Sequence, residues 1–380
     1  MPPRWIKAPI ARGMHYFSGN EAAAEGAIAA GCRFYAGYPI TPSSEIMERM
    51  ALRLREVGGV FIQMEDEIAS ISAVIGASWA GAKAMTATSG PGFSLMQESV
   101  GYAAFTETPC VIIDVQRAGP CTGQATRVGS GDIMQAKWGS HGDYQVIAFS
   151  PWSVQEMYEL TLRAFNLSER YRVPGLVMAD EAVGHLRENV SIGAKVEVWD
   201  RRKKRGGSPF GTEEEDGVPP MPAFGEGERV LVTGSTHDAN GFRKTDDPEA
   251  HEKLVERINE KILKNRNGMI ETEEYFLEDS DIAIIAYGFT ARTSLYVVKQ
   301  MRKEGAKVGL LRLKTLWPFP EEVVAEVGKK VKKVMVPEMN RGQVAGEVKK
   351  FCSSDVIPLG QTNGEIIRPE KILESLRRIR

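Results

Sequence analysis

Three stretches of the sequence carry residue types that could do chemistry at one shared site. The carboxylate Glu67 begins an Ala-, Gly- and Ser-rich stretch, a Gly-Pro-Gly turn follows at residues 90–92, and Arg117 follows the apolar run 110–115. A carboxyl group in an apolar setting has a raised pKa and can share a proton with a bound nitrogen base. A guanidinium at the carboxyl end of a buried strand can hold a carboxylate through two parallel hydrogen bonds. The pattern therefore predicts proton sharing and anion binding at one sheet edge.

The elements around Glu67 follow from residue spacing. Small residues recur at helical spacing after it, so we predict a helix whose buried face lets another body approach closely; they are Ala69, Ala73, Gly76, Ala77, Ala80 and Gly81. A strand over 83–88, a tight turn at 89–92 and a helix capped by Ser94 should follow. Taken alone, Glu67 is also explained as an acid at a helix N-terminus, worth about 0.3–1 kcal/mol.

The combination of Glu67, Gly76 and the string Thr88-Ser89-Gly90-Pro91-Gly92 resembles the pyrimidine-binding domain of thiamine diphosphate enzymes. The resemblance implies that Glu67 hydrogen-bonds the cofactor's aminopyrimidine and promotes the tautomer that removes the thiazolium proton. It also implies that Ser89 and Gly90 lie at the cofactor.

A second string, Tyr38-Pro39-Ile40-Thr41-Pro42-Ser43-Ser44-Glu45, resembles the signature of the alpha subunits of 2-oxoacid:ferredoxin oxidoreductases. We predict a helix with Thr41 as its N-cap and Pro42 in its first turn, which would aim backbone N–H groups at a carboxylate. By the resemblance, Tyr38 and Thr41 contact the 2-oxoacid, while Pro39 and Ile40 contact the cofactor. An ordinary capped helix is the alternative.

The substrate acid is assigned to the segment after the 110–115 strand. By resemblance, Arg117 and Thr126 hold the substrate carboxylate and its tail, although Arg117 alone could equally make a surface salt bridge. The family's usual string has Ser at Cys121 and Leu-Pro at Gln124-Ala125. This departure concerns the substrate tail more than the reaction.

Composition excludes several classes. The 380 residues carry a formal net charge of −2, which gives no basic field for nucleic acid, and no apolar run is long enough for a membrane helix. The N-terminus does not read as a signal peptide, so we expect a cytoplasmic protein. The four cysteines form no Cys-x-x-Cys pair, and we assign no metal to this chain. We considered His141 with Asp143, and His237 with Asp238, as ligands and favour structural roles for both pairs.

The fold class is predicted as α/β with two domains. Residues 1–194 read as the pyrimidine-binding domain, a parallel sheet with helices on both faces, and residues 271–380 as a parallel α/β domain resembling the C-terminal domain of transketolase. Residues 195–270, with opposite charge runs, Gly and Pro, read as an exposed linker and a connecting helix. A loop from Glu338 to Gln343 is assigned to subunit contact.

The resemblance covers almost the whole chain and is greatest to the 2-oxoglutarate type. It implies CoA-dependent oxidative decarboxylation of 2-oxoglutarate to succinyl-CoA and CO₂, with electrons passed to ferredoxin. A beta subunit would supply the diphosphate site, Mg²⁺ and a [4Fe-4S] cluster, and gamma and ferredoxin-like delta subunits are further candidates. Two alternatives stay open: the same reaction on pyruvate, branched-chain or aryl 2-oxoacids, and a catalytically silent thiamine-fold assembly module.

Overall fold

The computed structural model describes residues 2–204 and 206–380; Arg205, the last residue of a basic run in the predicted linker, lies outside them. The strands are β1 (Arg4–Lys7), β2 (Gly13–Ser18), β3 (Phe34–Gly37), β4 (Val60–Gln63), β5 (Ala84–Thr88), β6 (Cys110–Ala118), β7 (Gln124–Val128), β8 (Ile147–Phe149), β9 (Pro174–Asp180), β10 (Arg187–Ile192), β11 (Lys195–Val198), β12 (Thr272–Tyr275), β13 (Ile282–Ala286), β14 (Val308–Leu313), β15 (Thr315–Trp317), β16 (Lys333–Glu338) and β17 (Asp355–Gly360). The α-helices are α1 (Gly19–Ala29), α2 (Ser44–Glu56), α3 (Glu67–Trp79), α4 (Gly90–Phe105), α5 (Ile133–Trp138), α6 (Val154–Tyr171), α7 (Glu181–His185), α8 (Pro248–Asn265), α9 (Gly288–Lys303), α10 (Glu321–Lys330), α11 (Gln343–Phe351) and α12 (Pro369–Ile379).

The first sheet has the strand order β15-β8-β9-β6-β5-β3-β4, with β7 attached to β6. Neighbouring strands from β8 to β4 pair in parallel, whereas β15 and β7 pair antiparallel. Strand β6 lies in the middle and alternates its side chains between the two faces. Val111, Ile113 and Val115 join the core under α1, α2 and α6, while Ile112 joins the core under α3 and α4.

The second sheet has the order β12-β14-β13-β16-β17, in which only the edge strand β12 runs antiparallel. Helices α9 and α12 pack on one face, and α10 and α11 on the other. The predicted α/β class, with parallel sheets covered by helices on both faces, is confirmed for both sheets.

The stretch between the sheets is not the exposed linker that we expected. After β11 pairs with β1, the described residues of the range 199–247 (199–204 and 206–247) form no helix or strand, yet many of them pack onto the first domain. Arg201 is 5% exposed and pairs with Glu169, and Phe210 and Met221 are buried. The charge runs and the Pro/Gly content predicted solvent exposure, but apolar residues between them pack on the face of the sheet that α3 covers.

Helix α3 presents the opposite face from the one that we predicted. Its buried side carries Ile71, Val74, Ile75, Ser78 and Trp79. The small residues lie at the surface: Gly76 and Ala80 are exposed, and Ala69, Ala73 and Ala77 are half-buried. The physical reason is that large apolar side chains gain more from burial than Ala or Gly.

Two predicted caps are also wrong. Helix α2 begins at Ser44 rather than after Thr41, because residues 40–43 form a turn in which the Ser43 amide donates to the Ile40 carbonyl. Helix α4 begins at Gly90, so Ser94 lies inside it and its hydroxyl donates to the Gly90 carbonyl at 3.1 Å. Among the described helices, none is long and apolar enough to cross a membrane.

Candidate functional site

Four neighbouring parallel strands end at the same edge of the first sheet. Strand β3 leads into Tyr38, β4 leads into the turn before Glu67, β5 leads into Ser89, and Arg117 lies next to the last residue of β6. The amide of Met64 donates to the carbonyl of Gly37, which ties the ends of β3 and β4 together. Ligands bind at the carboxyl ends of such strands in open α/β sheets, so this edge is the candidate site.

A cavity of about 770 Å³ opens at this edge. Its wall is shared by the start of α4, the end of β6 with the turn after it, the segment before α5, and the loop after β16. The wall residues that the argument uses are Gly90, Pro91, Arg117, Cys121, Asp132 and Arg341. Both domains therefore contribute to it.

Glu67 lies behind this wall. It is 5% exposed, and Asp66 caps α3 in front of it by accepting a hydrogen bond from the Ala69 amide. A Cβ on Gly92 would lie 2.6 Å from the Glu67 Cδ atom, so the carboxyl packs directly on the glycine of the Gly-Pro-Gly turn. Burial raises the pKa of Glu67 and the Asp66 charge adds to this, while a hydrogen bond from its own backbone amide works in the opposite direction. Glu67 is thus a buried carboxyl able to hold a proton.

Arg117 is buried at 7% exposure and faces the cavity. One guanidinium nitrogen, Nη1, donates to the Thr41 carbonyl at 2.8 Å, which links the end of β6 to the turn after β3. Its Nε is buried and has no protein acceptor among the described residues. The guanidinium therefore keeps donor capacity for a ligand.

The predicted cofactor residues Ser89 and Gly90 lie at the start of α4, and their contact with the cofactor stays a prediction. Ser89 is fully buried and its hydroxyl has no protein partner among the described residues. Gly90 lies on the cavity wall, and a Cβ there would come within 3.2 Å of Asp132 Oδ2. A 16-residue helix begins here, so its N-terminus faces the cavity.

Other predicted residues are not brought to the wall of this cavity. Tyr38 and Pro39 are exposed beyond the end of β3, and Ile40 is half-buried with its carbonyl used by Ser43. The Thr41 side chain is exposed, and Thr126 is exposed on β7. Among the described residues, these five lie outside the cavity wall, so their contacts with a ligand stay predictions.

Two acids that the sequence did not point to lie at or beside the cavity. Asp114 is fully buried in β6, and Asp132 lies on the cavity wall before α5. The signal for Asp114 was an acid inside the otherwise apolar string Val111 to Val115. Nothing in the spacing showed that a residue eighteen positions later reaches it.

The loop after β16 closes the cavity within this chain. Glu338 is 1% exposed and accepts hydrogen bonds from Tyr287 at 2.9 Å and from the amides of Val344 and Ala345 at 2.8 Å. Asn340 donates to the Ser130 carbonyl at 2.7 Å. Both side chains are used by contacts inside the chain, whereas Arg341 of the same loop is exposed, so the assignment of this loop to subunit contact stays a prediction.

The two histidines that were considered as metal ligands lie in separate places. No group of three or more His, Cys, Asp or Glu side chains suited to a metal ion lies within residues 2–204 and 206–380. His141 is exposed, and His237 is buried with Nδ1 at 2.9 Å from the Ser235 carbonyl.

A parallel α/β domain with a buried carboxyl against a Gly-Pro-Gly helix start defines a thiamine-diphosphate-binding class of domain. A family model described as pyruvate flavodoxin/ferredoxin oxidoreductase, thiamine diphosphate-binding, matches residues 25–257, and one described as pyruvate:ferredoxin oxidoreductase core domain II matches residues 280–372. The chain belongs to this oxidoreductase family, and thiamine diphosphate is the cofactor of the first matched domain.

Known relatives agree with this assignment. The chain is 52% identical to a 2-oxoglutarate synthase subunit KorA of Methanothermobacter thermautotrophicus, covering 95% of this chain and 98% of that protein. It is 35% identical to a ketoisovalerate oxidoreductase subunit VorB of Methanothermobacter marburgensis, covering 95% and 96%. A solved 2-oxoglutarate:ferredoxin oxidoreductase from Magnetococcus marinus, with 2-oxoglutarate, coenzyme A and succinyl-CoA bound, superposes with a TM-score of 0.91 at 33% identity. The match covers 97% of this chain and 65% of that one. The family resemblance seen in the sequence is confirmed, and the relatives are subunits of larger enzymes.

Proposed function

We propose that this chain is the alpha subunit of a 2-oxoacid:ferredoxin oxidoreductase that oxidatively decarboxylates 2-oxoglutarate to succinyl-CoA and CO₂. The observation that carries the chemistry is the buried Glu67 carboxyl with its raised pKa against Gly92. The choice of 2-oxoglutarate is supported by 52% identity to the KorA subunit, against 35% to the ketoisovalerate subunit.

The surroundings of Glu67 fit an aminopyrimidine. The carboxyl is withdrawn from water and can hold a proton at neutral pH more readily than an exposed glutamate. Because Gly92 has no Cβ, the Glu67 carboxyl can lie directly against the start of α4. Glu67 would then share a proton with a ring nitrogen, while bound thiamine diphosphate supplies the acidic ring carbon and the electron sink. Pro39, Ile40, Ser89 and Gly90 would line the cofactor.

Arg117 would hold the substrate carboxylate. Its Nη1 is anchored on the Thr41 carbonyl, so the guanidinium can present its remaining N–H groups to the cavity without losing its position. Thr41 and Tyr38 would contact the reactive end of the 2-oxoacid, and Thr126 its tail. Because Thr126 is exposed on β7, its contact depends on a substrate or partner that covers this strand.

A beta subunit would complete the active site, with the diphosphate site, Mg²⁺ and the [4Fe-4S] cluster. Gamma and ferredoxin-like delta subunits are further candidate partners, and ferredoxin would accept the electrons. Residues 1–194 would bind the pyrimidine, 195–270 connect the domains, and 271–380 support the cavity through the loop after β16. All four cysteines are free thiols, which suits the cytoplasm as the compartment.

The experiment is reconstitution with the beta subunit, followed by assays of acyl-CoA formation and ferredoxin reduction. The substrates are 2-oxoglutarate, pyruvate, 2-oxoisovalerate and phenylpyruvate, compared by kcat/KM. We expect the five-carbon diacid to be preferred by at least about tenfold, equal to about 1.4 kcal/mol of transition-state binding. A preference for another acid would reject the substrate, and no turnover with any acid would support a silent module.

A further inference from the structure

Two carboxyl groups at the cavity lie against each other. Asp114 of β6 is fully buried, Asp132 precedes α5, and their side chains are within hydrogen-bonding reach. Apart from each other, neither oxygen of Asp114 nor Oδ2 of Asp132 has a hydrogen-bond partner among the described residues. Two carboxylates cannot bond without a proton, so the pair must hold at least one.

The proton belongs mainly to Asp114. Burial raises its pKa well above the ordinary value, and the neighbouring Asp132 raises it further. Burial also raises the pKa of Asp132, to about 6, while the hydrogen bond from Asp114 and the charge of Arg117 work in the opposite direction. At neutral pH, Asp114 is therefore neutral and Asp132 is the ionised member of the pair.

The position of Asp132 is not explained by the helix that it precedes. An aspartate at this position usually caps the helix, but its side chain makes no capping bond to α5. Instead its Oδ2 lies beside Gly90 on the cavity wall. Its backbone amide donates to Gln116 Oε1 at 3.1 Å, which fixes it beside β6.

Few titratable or charged groups surround Asp132. Strand β6 contributes Asp114 and Arg117, and the turn after it contributes the Cys121 thiol. The loop after β16 contributes Arg341. The wall residues of α4 carry no charge; they are Gly90, Pro91 and Ser94.

We propose that Asp132 is a proton-linked positioning residue: ionised in the empty cavity, it takes up a proton when an anionic substrate binds at Arg117. The reason is electrostatic, since the substrate carboxylate and the Asp132 carboxylate, whose Oδ2 is buried, would compete for the field of the same guanidinium. This inference rests on the proposed function, because it takes Arg117 as the site of the substrate carboxylate.

The linkage has a definite sign. Below about pH 6 Asp132 is already neutral in the free protein, so binding is tight and independent of pH. Above that pH binding requires proton uptake, and affinity falls as pH rises. If the bound anion raises the pKa of Asp132 by about one unit, the total loss of affinity is about tenfold. The substrate carboxyls do not titrate in this range.

The test is the pH dependence of KM and kcat for 2-oxoglutarate in the reconstituted complex between pH 5.5 and 8.0. For the wild type we expect KM to rise about tenfold above pH 6. For Asp132→Asn, which is neutral at all pH values, we expect a low KM without this rise. The control is Asp143→Asn, the same chemical change at an exposed aspartate, which should follow the wild type.

A wild-type KM that stays constant from pH 6 to 8 overturns the proposal without any variant. A KM of Asp132→Asn that rises in parallel with the wild type overturns it as well. In both cases the complex still turns over 2-oxoglutarate, so the proposed function stands. Absence of turnover with every 2-oxoacid overturns both.

Discussion

A single missing side-chain atom sets the position of the Glu67 carboxyl. Gly92 allows the first turn of α4 to pack on the carboxyl, so that an acid becomes buried at the start of α3. The two neighbours that a Cβ at position 92 would meet are Thr88 Oγ1 and Glu67 Oε1.

Gly92→Ala should therefore displace the Glu67 carboxyl. We expect kcat of the reconstituted complex to fall at least about tenfold, since misplacement of a proton-sharing group by a fraction of an ångström is costly. The matched control is Gly346→Ala in α11, where a Cβ meets nothing within 4 Å. A Gly92→Ala enzyme as active as this control would show that Glu67 can move without consequence.

Among single residues, the sequence was most informative for those that belong to a short local string. Glu67 begins α3 as its string predicts, whereas α4 begins at Gly90 and not at the predicted Ser94 cap, because Gly90 and Pro91 already form its first turn. The Asp114–Asp132 pair was not predictable, since it depends on how the segment before α5 returns to β6.

Helix α3 has a buried face of large apolar residues and an opposite face of small residues. Its large apolar residues, spaced as 71, 74, 75, 78 and 79, form the inward stripe of an amphipathic helix. The small residues also recur at helical spacing, so the sequence alone predicts them on the buried face. Periodicity alone does not rank two stripes; the transfer free energy of the side chains does.

The exposed small face of α3 predicts close approach by the beta subunit. Gly76→Leu should leave the fold of the isolated chain intact, because a Cβ at position 76 meets nothing within 4 Å. We expect its affinity for the beta subunit, measured by titration calorimetry, to fall at least about tenfold, or about 1.4 kcal/mol. Gly346→Leu, an exposed glycine on α11, is the control. Equal affinities of the two variants would place the contact elsewhere.

The stability of the whole molecule depends on buried ion pairs as well as on its apolar cores. Glu107, fully buried before β6, pairs with Arg257 and Lys261 of α8 and lies near Arg172. Burial alone would raise the pKa of Glu107, but the three cations hold it well below its ordinary value. This cluster binds α8 to the first domain. The sequence did not predict it, because residues 195–270 were expected to be an exposed linker and connecting helix.

Glu107→Gln should destabilise the chain strongly. It leaves buried cations without their carboxylate, and we expect a loss of about 3–5 kcal/mol in the free energy of unfolding by urea at pH 7. The exposed control Glu260→Gln, from a surface pair with Lys264, should cost less than about 0.5 kcal/mol.

The pH dependence of this loss has a definite sign. A depressed pKa contributes stability that is present above the unfolded-state value of about 4.3 and lost as the pH falls below it. The difference between wild type and Glu107→Gln should therefore shrink below about pH 4. A difference that is constant from pH 7 to pH 3 would contradict the ion-pair account.

The domain architecture was largely predictable because alternating apolar strands and amphipathic helices leave few topologies. The insertion of β15 into the first sheet was not, since a three-residue strand carries almost no pattern. The same holds for the loop after β16, whose partners Ser130 and Tyr287 lie far away in the chain.

The central claim is that Glu67 shares a proton with the cofactor's pyrimidine ring. The most direct measurement is the exchange rate of the thiazolium C2 proton in the reconstituted complex, followed by NMR after quenched deuterium labelling. For Glu67→Gln we predict a rate at least about 100-fold below wild type with the cofactor still bound, whereas exposed Glu65→Gln should match wild type. An unchanged exchange rate in Glu67→Gln would contradict the account.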